Sequence, residues 1–202
     1  MGMEFKEEDG KAVGLEVTTY GTRKLAETLA EKEVKKLLAL LSVVLNSDIE
    51  ANLDRSYRIK DDGSKEVYVR FHETITLTGE VIHPEKPKID LATPMGSSDD
   101  QFWRQMSHFR TGVMSSDPIE KYREFFLIFE DEGTGYTQDE QSLRHAVNHP
   151  KLTHPIHSDR VNRILGKPFY DPLDPHHKDI IREHASNLYQ KANTLLVAKI
   201  KA

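Results

Sequence analysis

Pro118-Ile119-Glu120-Lys121-Tyr122-Arg123-Glu124-Phe125-Phe126-Leu127-Ile128-Phe129-Glu130-Asp131-Glu132 is the stretch on which the fold turns. Ile119, Tyr122, Phe125, Phe126 and Phe129 recur at helical spacing and give a wide apolar face. Gly133-Thr134-Gly135 ends the helix. Upstream, Asp99 to Val113 reads as a second helix. Downstream, a short one begins near Thr137-Gln138-Asp139-Glu140 and stops before Pro150, because the residue preceding a proline is steered out of the α region. Ser158 to Leu165 reads as a further helical piece ending at Gly166. The last helix has Asp174 as its cap, Pro175 at its first position, and Ile181, Ala185, Leu188, Ala192 and Leu195 as its stripe. Residues 99–202 are therefore expected to form a bundle of four to five helices.

The first half reads differently. Val13, Leu15 and Val17 alternate with small or polar residues, which predicts a half-buried strand over Lys11–Tyr20. Gly21 breaks it. Thr22 then caps a helix from about Arg23 to Asn46, with Leu25, Leu29, Val34, Leu37, Leu38, Leu41 and Leu45 on its apolar side. Ser56–Lys60 and Glu66–Ile82 predict a hairpin across Asp61-Asp62-Gly63-Ser64. His83 to Ser98 carries Pro84, Pro87, Pro94 and Gly96 and reads as a linker. The expected class is α+β, with a small mixed region over 1–92 and a helical bundle over 99–202. The leucine-rich run from Leu37 to Leu45 offers an alternative boundary, since it could bury against the bundle instead.

Bulk properties narrow the function. With 202 residues, 37% hydrophobic and 30% charged, the chain is long enough and balanced enough to bury a core. No apolar run approaches the ~20 residues of a membrane span, and the acidic start lacks a signal-peptide core. The chain has no cysteine, so thiol chemistry and thiolate metal sites are excluded, and a reducing, cytoplasmic setting is expected. A net charge of -5 argues against a passive nucleic-acid coat. Residues 99–202 hold 14 Lys+Arg against 15 Asp+Glu, leaving 14 against 18 for residues 1–98, and eight of the ten histidines lie in the later part. Nucleic acid would be met at a local site.

That site is expected in Leu143-Arg144-His145-Ala146-Val147-Asn148-His149-Pro150. On a helix Arg144 and His149 fall about 140° apart, while His145 and His149 share a face one turn apart. A guanidinium beside an imidazole suits attack on a phosphodiester. The plainer readings are an Arg144–Glu140 pair one helical turn apart and His149 favouring the helix dipole. Phe125, Phe126, Phe129, Phe102 and Trp103 read as core residues, and His176, His177 and His184 as structural or surface ones.

The arrangement resembles the HEPN superfamily (higher eukaryote and prokaryote nucleotide-binding domains), whose helical bundles carry an Arg followed by a polar residue and, four to six positions on, a His. Arg144-His145-Ala146-Val147-Asn148-His149 fits, preceded by the aromatic helix at Tyr122–Glu130. The likeness covers residues 99–202. It implies metal-independent endoribonuclease activity without a cofactor, or RNA binding where activity has been lost. Carried onto this chain, Arg144 holds the scissile phosphate, His149 is the general acid or base, and His145 orients them. It further implies a homodimer whose two motifs share a cleft, and a neutralising or regulatory protein partner. Glu130 is placed to pair with Arg144 and hold its fork. Two rivals stand beside this reading. His145, His149, His154 and His157, with Asp159, could grip a metal ion; or the bundle is a non-enzymatic module for dimerisation or for binding a ligand or protein.

Overall fold

The computed structural model describes residues 2–8, 11–19, 22–46, 55–59, 65–69, 95, 97–149, 152 and 154–201. Its elements are β1 (Gly2–Glu8), β2 (Lys11–Thr18), α1 (Arg23–Leu45), β3 (Arg55–Ile59), β4 (Lys65–Val69), α2 (Asp100–Met114), α3 (Pro118–Glu132), α4 (Gln138–Asn148), α5 (Pro155–Leu165) and α6 (Pro175–Lys201). The Asp61–Ser64 turn, the continuation from residue 70 to Ile82, and the linker over 83–94 lie outside the described residues.

The expected α+β class is corrected. Of the residues whose side chains are described, 77% are helical and 3% lie in strands, so this is a helical protein. The strands form two separate antiparallel ribbons, β1 with β2 and β3 with β4, and among the described residues neither widens into a larger sheet. A two-stranded ribbon provides no layer on which an α+β fold can be built; about three strands with an apolar face are needed. Alternation in Val13, Leu15 and Val17 specifies a strand, but not the number of its neighbours.

By its contacts the chain divides into Met1–Leu38 with Ile49–Thr78, and Ala39–Asp48 with Gly79–Ala202. In the first unit β1 and β2 pair in the register Gly2↔Thr18 to Glu8↔Lys11, with an irregularity at Lys6/Glu7, and β3 pairs with β4 from Arg55↔Val69 to Ile59↔Lys65. Leu25 and Leu29, expected on the apolar side of α1, are exposed at 52% and 38%.

The second unit begins with the last turns of α1. Ala39, Leu40 and Val43 join the core of the bundle. Asn193 Nδ2 donates to Val43 O at 2.9 Å, and Tyr189 donates to Asn46 Oδ1, so α6 holds the end of this helix. Helix starts follow from capping. Asp99 and Asp117 accept from Gln101 N and Ile119 N, respectively, and Thr137 and Glu140 form a reciprocal box at α4. Pro155 opens α5 three residues before the expected Ser158, since a proline at the first position is preorganised for a helix and loses no bond there. Gly133 and Gly166 close α3 and α5 in the left-handed region, at φ 72° and 73°.

Helix α3 is the centre of the bundle, packed on α2 and α6. Tyr122, Phe125, Phe126, Ile128 and Phe129 are all buried. Phe109 of α2, Phe125 of α3 and Tyr189 of α6 form an aromatic triangle with centroids 5.4–5.8 Å apart. The α6 stripe runs Ile181, Ala185, Leu188, Ala192 and Leu196, with Leu196 in place of Leu195. A polar node also crosses three helices: buried Gln105 donates to Ile128 O at 3.2 Å and Glu132 at 2.9 Å, and accepts from Lys199 at 2.9 Å. The bond from Lys199, then that from Gln105, hold the Glu132 carboxyl below its usual range.

At Gly112 α2 lies close against α3: a Cβ there would stand 2.6 Å from the Phe125 ring. Phe125 is itself 2% exposed and has nowhere to move. Gly112→Val is expected to lower unfolding free energy by about 1–3 kcal/mol through overpacking. Urea denaturation measures it, and a variant as stable as the parent would show that the helices can separate at little cost.

Candidate functional site

Helix α4 carries the Arg144–His149 segment, and three neighbours hold it in place. At its start, Glu140 accepts from Thr137 N at 2.6 Å and from Lys191 of α6 at 2.8 Å, although its residue is only 4% exposed. Burial raises the Glu140 carboxyl, but the Lys191 and Thr137 bonds outweigh it and the net direction is down. Tyr122 of α3 donates its hydroxyl to Glu140 O, and burial of that phenol keeps it protonated. At the far end, Arg123 Nη2 donates to Val147 O at 2.7 Å, satisfying a carbonyl of the last turn. The face between these anchors has little freedom to turn.

On that face Arg144 leans toward α3. Its Nη2 donates to Glu130 Oε2 at 2.8 Å, and its guanidinium carbon lies 5.8 Å from the centre of the Phe126 ring. Glu140, the other carboxylate considered for Arg144, is occupied by Thr137 and Lys191 instead. Arg144 and Glu130 side chains are 25% and 46% exposed, so this is a solvent-reachable pair worth about 0–1 kcal/mol. An incoming anion can share the fork.

His149 is the residue that ends α4. Its extended backbone N–H bonds His145 O at 3.0 Å, and the residue is exposed. His145 lies between Arg144 and His149 around the helix and interacts electrostatically with both. Its ring stacks on His149 at 6.1 Å and meets His157 of α5 at 4.5 Å, and His157 in turn lies 5.5 Å from His154. Four imidazoles therefore follow one another along the face shared by α4 and α5. Arg144 and His149 flank His145 without a direct contact between them.

His145 and His157 are less readily protonated than free histidine. Burial, then His157, Arg144 and His149, lower the His145 pKa from its ordinary 6.5, with Glu130 opposing. Burial, then His154 and Arg160, lower that of His157. His157 Nδ1 also lies 2.8 Å from Ser142 Oγ, on the buried side of α4. Arg160 donates to Gln138 and Arg163 to Asp139, which ties α5 to the start of α4. Pro150 and Lys151 lie outside the described residues.

The sequence missed Phe126 as the platform under Arg144 and Ser142 as the partner of His157, and it grouped His157 with His145 only as a metal ligand. Among the described residues no three His, Asp or Glu side chains are grouped to hold a metal ion. His177 is structural: its Nε2 bonds Leu165 O and its Nδ1 accepts from Asp171 N, each at 3.0 Å. Among the described residues no helix is long and apolar enough to cross a membrane.

Comparison with family models, with curated proteins and with solved structures gives no match for this chain.

The lowered values make a stability prediction. Folding favours neutral His145 and His157, so below about pH 6.5 the unfolded chain takes up protons first and stability is lost as pH falls through the lowered folded values. The thermal midpoint should fall between about pH 7.5 and 5.5. It should fall less in the double variant His145→Gln/His157→Gln. Equal slopes in the two proteins would assign the acid sensitivity to other groups.

Proposed function

We propose that the chain cleaves RNA without a metal ion, at the face carrying Arg144, His145 and His149, as the resemblance to HEPN domains implies. The observation that carries this reading is Arg144 held between Glu130 and Phe126, next to the solvent-reachable imidazoles of His145 and His149. Such cleavage needs charge neutralisation at phosphorus, one group to accept the 2′-OH proton and one to protonate the leaving 5′ oxygen. Arginine presents a planar, permanently charged fork to phosphate oxygens. An imidazole near its own pKa performs either proton transfer, each worth about 10²–10⁴-fold.

In this reading Arg144 takes the phosphate and Glu130 keeps its fork oriented. His149, at the exposed end of the helix, reaches the substrate, and His145 supports both. Two copies paired about a two-fold axis would place both motifs in one cleft. The near-neutral charge of residues 99–202 suits a small site more than an extended track along a nucleic-acid backbone. RNA that is bound but not cut would be the weaker form of the same function.

Incubation of the purified chain with single-stranded RNA in excess chelator tests this directly. Cutting should persist with chelator present and drop by at least about 10²-fold in Arg144→Ala and in His149→Ala. Loss of cutting on chelation, or both variants cutting at the parental rate, would refute the proposal.

A further inference from the structure

We infer that His157 is a second proton-transfer group of this RNA site, held by Ser142 in the tautomer that leaves Nε2 as its basic nitrogen. The assignment rests on the RNA reading above and adds to it a residue that lies outside the Arg-x4-His motif.

The argument is a count of hydrogens. Ser142 Oγ lies 2.8 Å from Gln138 O and 2.8 Å from His157 Nδ1. A carbonyl oxygen can only accept, so the single hydroxyl hydrogen goes to Gln138 O. The remaining contact needs a hydrogen as well, and only Nδ1 can supply it. His157 is thus an Nδ1–H imidazole donating to Ser142 Oγ, and its lone pair sits on Nε2. Ser142 is fully buried, which keeps this arrangement from being exchanged for water. Ser142 is a positioning residue: it acts on His157 by fixing which nitrogen is the base.

Spacing decides how the imidazoles divide the work. A proton transfer operates over about 3 Å of hydrogen-bond reach, so an acid and a base on opposite sides of one phosphate must stand at least about 6 Å apart. His145 and His157, with ring centres 4.5 Å apart, are too close to play those two parts. His149, whose ring centre stands 6.1 Å from that of His145, is the imidazole of the motif left for the other part. The step is then balanced within one chain. Neutral His157 Nε2 takes the 2′-OH proton as the 2′ oxygen bonds to phosphorus. The bond from phosphorus to the 5′ oxygen breaks, and that oxygen takes a proton from protonated His149. The products are a 2′,3′-cyclic phosphate and a 5′-hydroxyl, and exchange with water resets both rings.

Burial, then His154 ahead of α5 and Arg160 within it, set the pH behaviour of His157, and His145 on α4 faces it at 4.5 Å. Burial and the nearby cations keep its imidazole neutral near pH 7, as a base must be.

The test uses the full chain, an RNA oligonucleotide and excess chelator, with Arg144→Ala as a reference. His157→Ala should lower kcat by about 10²–10⁴-fold with KM little changed, and should remove the acid limb of the pH–rate profile. Ser142→Ala should retain cutting but shift that limb to lower pH, because the imidazolium loses its acceptor; a packing defect would slow the reaction without moving the limb. Nitrogen-15 spectra of the unsubstituted protein read the tautomer without any variant and should show protonated Nδ1 and unprotonated Nε2 at His157. The opposite tautomer, or parental cutting by His157→Ala while Arg144→Ala is inactive, would overturn this assignment and leave the RNA reading standing. No cutting by the parent chain would remove both.

Discussion

The buried carboxylate of Glu140 ties the candidate site to the core. It closes the capping box with Thr137, takes the ammonium of Lys191 from α6, and belongs to the residue whose carbonyl receives the Tyr122 hydroxyl from α3. A carboxylate with little exposure is tolerable only when its charge and lone pairs are met, and here they are. Because its partners belong to different helices, rotation or sliding of α4 would break several charged or buried bonds together. The orientation of Arg144, His145 and His149 is inherited from that constraint, and Arg123 repeats it at the other end through Val147 O.

The aromatic helix contributes in two ways. Its inward side, Tyr122, Phe125 and Phe129, is the centre of the bundle, and Gly112 lets α2 approach closely enough for Phe125 to be enclosed. Its other edge supports the site, since Phe126 lies under the Arg144 guanidinium and Glu130 bonds it. Packing and chemistry therefore share one element. Glu130 remains half exposed, so the pair orients the arginine without withdrawing it from solvent.

Much of the helical half was legible because its signals are local. Thr137 and Asp174 announce helix starts through their own side chains, and Gly133 and Gly166 announce ends through a backbone geometry that glycine adopts cheaply. Positions were read less well where burial depends on a distant partner. Leu25 and Leu29 look like a core stripe but are exposed, whereas Leu40 and Val43 enter the core because α6 is there to receive them. The α+β expectation failed for a related reason: a strand pattern is local, but a sheet layer is not. The Glu130–Arg144 pairing could be anticipated from charge type and chain order, and His157 was grouped with His145 as a metal ligand, yet its bond to Ser142 could not be read, as nothing in the spacing says that α5 returns beside α4.

What the amino-acid order determined by itself was where helices begin and end, which residues are apolar enough to form a core, and that an arginine and a histidine share one short helix with a second histidine close behind them. These follow from backbone preferences and side-chain chemistry within a few residues. Tertiary structure alone decided which face of α4 is open, that Arg144 rests on Phe126, and that histidines from α4, α5 and the turn between them line up in one row. Those outcomes depend on contacts between residues far apart in the chain, whose energies exist only once the helices have packed.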